Sequence, residues 1–414
     1  MLDAVIDKSK IRIIFVQDRF FLGGIEILEI KLAKELSRNG YDVIVAARES
    51  QVLDENKLFS TRFVHMGYPD FISRATSFAA EGVEKLIFVS LHPTAAMASE
   101  IAGRRINDKF RKSIPVHHLH WVSHSRAFFF SQNRLVRCLL KSFFPMLPEK
   151  STYFMNDAAL AAHQSFWGRS LENYPVLRIV GRDACAKYAQ RKALKGDAKE
   201  LQATELRIVS VGRLVPFKSY NVNAPKVVKR LRDSGIDASW DIWGYGPDEA
   251  AVLLNAQQHN VKEHVRLCGA LPHAIFDETV SSYDVFVGMG TSVLEAANTG
   301  TPVCVAVENQ GDACYGHLHQ APTDSVGDRV QGFPEQKLHK FLHAFAMLSP
   351  EERSIIGEAD ASAARQRESR LEEFSAAILS AEPLKNLERG ESAFLSFVKA
   401  YLVAKHWKSG RAKG

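Results

Sequence analysis

The sequence predicts an α/β protein of two Rossmann-like domains, each built on a parallel sheet. Three observations predict it. Short apolar runs alternate with longer amphipathic stretches, the pattern of strand–helix–strand units. The alternation breaks at a polar, charged, glycine-containing stretch, residues 186–204 (AKYAQRKALKGDAKELQAT), and then resumes. The 414 residues exceed the usual need of one α/β domain and suit two.

The elements follow in order. Residues 11–17 (IRIIFVQ) are an apolar run bounded by charge, the mark of a strand buried on both faces. A turn with Gly23 and Gly24 leads into a helical pattern carried by Ile27, Ile30, Leu32, Ala33 and Leu36, closed by Asn39 and Gly40. A strand at 41–47 completes the first unit. Strands follow at 85–90, 114–119 and 151–154, with helices at 93–106 and 158–166. Beyond 204 the series restarts: strands at 206–211, 238–243, 265–268, 285–287 and 302–306, helices at 222–233, 248–259, 273–282 and 292–299. From residue 335 the pattern is helical. The expected organisation is a first domain at 1–185, a linker at 186–204, a second domain at 205–385, and a C-terminal helix with a basic tail at 386–414 that crosses back to the first.

Composition narrows the class. The chain is 46% hydrophobic and 24% charged, as globular proteins with real cores are. A net charge of +6 suits anionic partners, a membrane surface or phosphorylated ligands, without selecting one. No nucleic-acid reading motif occurs. Five cysteines (138, 185, 268, 304 and 314) include no C-x-x-C pair, so neither a disulfide framework nor a zinc site is expected. With no apolar signal region and no long apolar run, the expected place is the cytoplasm, at most peripheral on the inner face of the membrane.

Four strand–turn–helix junctions carry candidate chemistry. Gly23 and Gly24, with Glu26, stand between strand and helix, where glycines let a backbone approach a phosphate and the helix N-terminus offers N–H groups. A plain tight turn reads equally well. Gly212, Arg213 and Lys218 (SVGRLVPFKSYN) place two cations at the C-terminal end of a strand, where ligands bind in open α/β sheets. Arginine grips two phosphate oxygens and lysine acts as a mobile point charge; two solvated surface cations are the plainer alternative. Gly290, Thr291 and Ser292 lie in a glycine-rich turn before a helix, with Glu295 in the expected first turn, facing a ribose diol or merely complementing the helix dipole. Gly244 and Gly246 (WGYGPD) mark the fourth junction.

In this order and spacing the segments resemble the family-4 group of retaining glycosyltransferases (glycosyl transferases group 1). The matching stretches are FLGGIEILEIKLAKELSRNGYDVIVAA, VSVGRLVPFKSYN, WGYGPDEAAV, VRLCGAL and LEAANTGTPVCVA, over most of residues 11–380. The resemblance implies a GT-B fold, two Rossmann-like domains with parallel sheets facing a central cleft. It implies a nucleoside diphosphate sugar as donor and no bound metal or other cofactor. Arg213 and Lys218 would hold the diphosphate, Glu295 the ribose, and Gly23 and Gly24 would face the diphosphate across the cleft. Gly244, Gly246 and the residues from Cys268 to Leu271 would border the base, with Gly290, Thr291 and Ser292 also against the donor. The family carries a glutamate eight positions before Glu295; here that position is Val287, so the sugar end departs from the pattern.

His117, His118 and His120 stand at the C-terminal edge of the first sheet. The resemblance makes His120 the first candidate for contact with the donor sugar and His118 the second; His92 is a further candidate. Residues 125–150 are basic and aromatic at once, fitting either a membrane-dipping segment or an amphipathic helix packed on the first domain. The expected partners are a nucleotide-sugar donor and a glycan or lipid-linked acceptor. The expected activity is retaining transfer of a sugar to a hydroxyl, in bacterial surface polysaccharide or lipopolysaccharide synthesis. Rivals are a non-catalytic sugar-nucleotide-binding protein and a nicotinamide-dependent oxidoreductase, the latter opposed by the lack of G-x-G-x-x-G after the first strand.

Overall fold

A computed structural model describes residues 7–20, 24–50, 61–79, 82–124, 127–129, 133–178, 205–323, 325–386 and 391–411. The chain divides into two compact units, one of residues 1–180 and 369–414, the other of residues 181–368. The expected linker at 186–204 and Cys185 lie outside the described residues.

In the first unit six parallel strands form one sheet: β1 (Ile11–Val16), β2 (Asp42–Ala47), β3 (Arg62–His65), β4 (Lys85–Ser90), β5 (Val116–Val122) and β6 (Thr152–Phe154). Their order is β3-β2-β1-β4-β5-β6, the doubly wound order that reverses between its first and fourth strands. The apolar runs read as strands because both faces are covered: Ile13, Ile14 and Phe15 are fully buried, as are Ile87, Phe88 and Val89. Helices α1 (Gly24–Arg38), α2 (Tyr68–Ser73), α3 (Pro93–Phe110), α4 (Arg134–Phe143) and α5 (Asp157–Trp167) connect them. Strand β3 was not expected; its exposed–half-buried–half-buried–exposed pattern carries little apolar signal.

Helix α4 turns Leu139, Leu140 and Phe143 into the core, where Phe128 and Phe144 are also fully buried. Phe128, Phe143 and Phe144 therefore pack inward, while Arg134, Lys141 and Lys150 stay outside and Arg137 is half-buried. The described part of the stretch thus includes an amphipathic helix packed on the core of the first unit.

The second unit repeats the order. Strands β7 (Glu205–Val211), β8 (Asp237–Trp243), β9 (Val265–Gly269), β10 (Val285–Gly288) and β11 (Val303–Ala306) are parallel, and β12 (Ala313–His317) and β13 (Gln336–Lys337) add antiparallel pairs at one edge. The order is β9-β8-β7-β10-β11-β12-β13. Its helices are α6 (Tyr220–Asp233), α7 (Glu249–Gln258), α8 (Phe276–Ser281), α9 (Thr291–Asn298), α10 (Leu338–Ala346) and α11 (Pro350–Gln366).

From Ser369 the chain belongs to the first unit again, earlier than the boundary expected at 386. The cause is packing and hydrogen bonding against β5. Phe374 of α12 (Leu371–Leu379) meets Trp121 edge to face at 5.4 Å, His117 Nδ1 lies 2.6 Å from the Ala381 carbonyl, and Leu384 N–H donates to the Val116 carbonyl. The final helix α13 (Glu391–Arg411) buries Leu395, Val398 and Leu402 in the same core.

Candidate functional site

The switch point of the second sheet lies between β7 and β10, and ligands of open α/β sheets bind outside the carboxyl ends of strands at such points. Three of the four glycine junctions come together there: the loop after β7, the turn after β8 and the turn after β10.

The first two are locked backbone to backbone. Gly212 N–H donates to the Trp243 carbonyl at 2.9 Å and Leu214 N–H to the Tyr245 carbonyl at 3.0 Å, so the strand ladder runs on into the loops. A Cβ on Gly244 would stand 1.8 Å from the Gly212 carbonyl oxygen, and one on Gly246 2.1 Å from that of Leu214. Only glycine fits at either place, which explains the Gly-x-Gly spacing. Gly246 N–H donates to Glu249, at the start of α7, closing the turn.

A short 3-10 turn at Pro216–Lys218 then carries Lys218 back over Gly212 toward β10. Its Nζ donates to the Met289 carbonyl at 3.3 Å, and Ser292 Oγ donates to the same oxygen at 3.5 Å. Lys218 is half-buried and Arg213 exposed. Burial, aided by the neighbouring charge of Arg213, pushes the Lys218 ammonium down to about 8. An ammonium so placed gains from any anion that restores its lost solvation.

The turn after β10 supplies a helix N-terminus. Gly290, at φ +83°, caps α9, and no side chain caps it. The N–H end of α9 thus points its partial positive charge toward the side where Lys218 lies. Gly290 N–H donates to the Val326 carbonyl at 2.6 Å. Because α9 begins at Thr291, the half-buried Glu295 falls in its second turn, not the first as expected. Complementing the helix dipole, an effect of the first turn, is therefore not its main role.

Val287 is fully buried among Leu206, Ile208 and Cys304, so its position faces the core. One buried carboxylate not singled out in the sequence stands on the adjacent strand: Glu308, just past β11, 5% exposed, accepting from Arg329 N–H at 3.4 Å. Its backbone N–H donates to the Gly327 carbonyl, one residue from the Val326 that holds Gly290. Its place after an apolar strand (PVCVAVE) was the available signal. Leu271 is half-buried in the loop beyond β9.

In the first unit Gly24 opens α1 and Glu26 lies in its first turn, while Gly23 falls outside the described residues. The three histidines lie inside β5, not after it, and alternate in direction. His117 turns to the Ala381 carbonyl. His118 and His120 share the other face, both buried. His118 is occupied on both ring nitrogens, Nδ1 by Glu100 at 2.8 Å and Nε2 by Ser90 Oγ at 2.7 Å, so it serves internally rather than as a ligand contact. His120 Nδ1 is bonded, and its Nε2 has no partner. Burial, then the neighbouring His118, holds the His120 imidazole well below its usual range; the Ser90 carbonyl opposes this, and His92 and His163 add to it. His92 caps α3, accepting from Thr94 N–H at 3.4 Å.

Residues 192–313 match the family described as glycosyl transferases group 1. No curated protein matches the chain. Among solved structures, Anabaena Alr3699/HepE, in complex with UDP and glucose, is 14% identical over 89% of this chain and 98% of that one, with a TM-score of 0.62. WaaG, a glycosyltransferase involved in lipopolysaccharide biosynthesis, is 13% identical over 89% of this chain and 100% of its own, also at 0.62. A glycosyltransferase from Rickettsia africae is 14% identical over 90% and 99%, at 0.60. The chain therefore has the GT-B fold, and its second unit carries the match to glycosyl transferases group 1.

Proposed function

We propose that this protein is a retaining glycosyltransferase that moves a sugar from a nucleoside diphosphate sugar to a hydroxyl acceptor. The observation that carries the reading is the convergence of Lys218, the Gly212–Arg213 loop and the uncapped α9 N-terminus at the switch point of the second sheet. The group 1 match over residues 192–313 supports it.

In this reading Arg213 and Lys218 bind the diphosphate and stabilise the charge that grows on it as the sugar leaves, with the α9 N-terminus as a third donor. These groups supply the positive charge without a metal. Glu295 takes the ribose hydroxyls, and Leu271 and the Gly244–Gly246 turn border the base. With Val287 in the core, Glu308 supplies the carboxylate for the sugar end. His120 offers Nε2 to a sugar hydroxyl. Departing diphosphate assists deprotonation of the acceptor, leaving the protein to position and to stabilise charge. A bacterial surface polysaccharide or lipopolysaccharide precursor suits the acceptor role, since WaaG is described as acting in lipopolysaccharide synthesis. The outer face of α4, with Arg134, Leu135 and Lys141 exposed, is the surface proposed for peripheral contact with an anionic membrane.

A second reading, a sugar-nucleotide-binding protein without turnover, draws on Val287. Incubation with a panel of nucleoside diphosphate sugars decides between them. Release of nucleoside diphosphate from one donor, with product of retained anomeric configuration, supports transfer. Binding without release across the panel supports the second reading.

A further inference from the structure

Four buried side chains of the first unit form one hydrogen-bonded chain. Glu100 lies on α3 and is fully buried; Arg104 Nη2, one turn on, donates to its Oε2 at 3.1 Å. His118 Nδ1 lies 2.8 Å from Glu100 Oε1, and His118 Nε2 lies 2.7 Å from Ser90 Oγ. Ser90 Oγ lies 3.0 Å from His120 Nδ1, which is also 2.9 Å from the Ser90 carbonyl oxygen. Register explains the alignment: Ser90 of β4 stands directly beside His120 of β5, and His118 is two residues back on the same face.

One arrangement of protons satisfies this chain, with the Leu119 carbonyl, 3.5 Å from Ser90 Oγ, as an alternative acceptor for the hydroxyl. A carbonyl oxygen only accepts, so His120 Nδ1 carries a hydrogen. A carboxylate only accepts, so His118 Nδ1 carries one too. His118 Nε2 is then free to accept from Ser90 Oγ–H, and Ser90 Oγ accepts from His120 Nδ1–H. From Glu100 to the His120 Nδ1 each side-chain atom of the chain has a partner, whereas the last atom, His120 Nε2, is buried and has none. The ring is 1% exposed and packed edge to face against Phe128 at 5.5 Å.

We propose that Glu100, His118 and Ser90, the last through its carbonyl as well as its hydroxyl, are positioning residues that hold His120 in the Nδ1–H tautomer, presenting a bare Nε2 as acceptor for a sugar hydroxyl. The chain excludes the other role: a histidine so held accepts a hydrogen bond and does not donate one. The identity of the ligand group rests on the glycosyltransferase reading; the tautomer does not. Polarisation along the chain, from the Glu100 carboxylate through two imidazoles, strengthens the acceptor.

Nitrogen-15 NMR of histidine-labelled protein tests this, with His120 assigned from the His120→Gln spectrum. The expected result is a protonated Nδ1 and an unprotonated Nε2 on His120. In Ser90→Ala the Nδ1 proton resonance moves toward that of a weaker hydrogen bond, kcat falls about fivefold, the worth of one hydrogen bond, and KM for the donor holds. Ser90→Thr, which keeps the hydroxyl, restores both, and Glu100→Gln reproduces the alanine shift at unchanged fold by circular dichroism. A protonated Nε2 in the wild type, or identical His120 signals in wild type, Ser90→Ala and Glu100→Gln, overturns the proposal. Donor hydrolysis without acceptor separates the hydroxyl's source: slowing of hydrolysis and transfer together assigns it to the donor sugar, slowing of transfer alone to the acceptor. Absence of turnover with the predicted tautomer intact refutes the glycosyltransferase reading and leaves the tautomer assignment standing.

Discussion

Lys218 Nζ donates to the Met289 carbonyl at 3.3 Å, tying the loop after the first strand of the second sheet to the turn after its fourth. This bond bridges the point where the strand order reverses, and it holds a cation whose solvation is already partly lost.

That cation makes ligand binding sensitive to pH. The folded-state value is lowered from 10.5 to about 8, so between those values the folded protein binds fewer protons than the unfolded chain. Without ligand, stability therefore rises with pH across that window. A bound diphosphate reverses the preference and retains the proton. Nucleoside diphosphate affinity is expected to fall above about pH 8, at most about tenfold per pH unit, with proton uptake on binding seen by calorimetry in two buffers. Lys218→Arg, charged throughout, should abolish the pH dependence.

Two glycines of the site separate steric from conformational cost. Gly244→Ala drives a Cβ to 1.8 Å from the Gly212 carbonyl oxygen, whereas a Cβ on Gly290 meets nothing within 4 Å and suffers only from φ +83°. Gly290→Ala should cost about 1–3 kcal/mol, and Gly244→Ala more than that, by denaturant unfolding. Nucleotide binding should be lost in the Gly244 variant, because the Gly212–Leu214 loop must shift.

Restoring the family's glutamate should fail. Val287 is fully buried in the core of the second unit. Val287→Glu places an uncompensated charge there and should destabilise by about 3–5 kcal/mol, read as a lowered unfolding midpoint with no gain in donor binding. Glu308→Gln should instead weaken turnover and leave the fold intact.

Away from the site, Asp360 of α11 is a structural anchor. It is fully buried and accepts from the backbone N–H of Val303 and of His319, and from the His319 ring. Burial raises its carboxyl, but the His317, His319 and Val303 hydrogen bonds outweigh that and hold it below 3.8. Its stabilisation is present above 3.8 and lost as pH falls through the lower folded value. Asp360→Ala should cost about 3 kcal/mol near neutrality by leaving buried donors unmatched, and the gap to wild type should close below pH 4.

Both sheets were legible in the sequence because their central strands are buried on both faces and so read as largely apolar runs, IRIIFV and LRIVSV among them, each with one arginine near its start. What escaped lies at sheet edges. Arg62–His65 is half exposed, and Gln336–Lys337 is two polar residues long. The glycine junctions were visible as motifs, but their convergence follows from strand order, which the pattern does not state. Glu100 and His118 are 18 positions apart, and Ser90 and His120 are 30, so the chain that orients His120 exists only once β4 and β5 pair. The start of α9 was misplaced because Gly290, rather than a polar side chain, caps it.

The measurement that bears most directly on the central claim is calorimetric titration of the wild type with UDP, GDP, ADP and NAD(P). One of the diphosphates should bind, and Arg213→Ala and Glu295→Ala should each weaken it about tenfold or more, as expected for a charge-assisted hydrogen bond. Binding of NAD(P) with none of the diphosphates, or diphosphate affinity unchanged in both variants, would contradict the account.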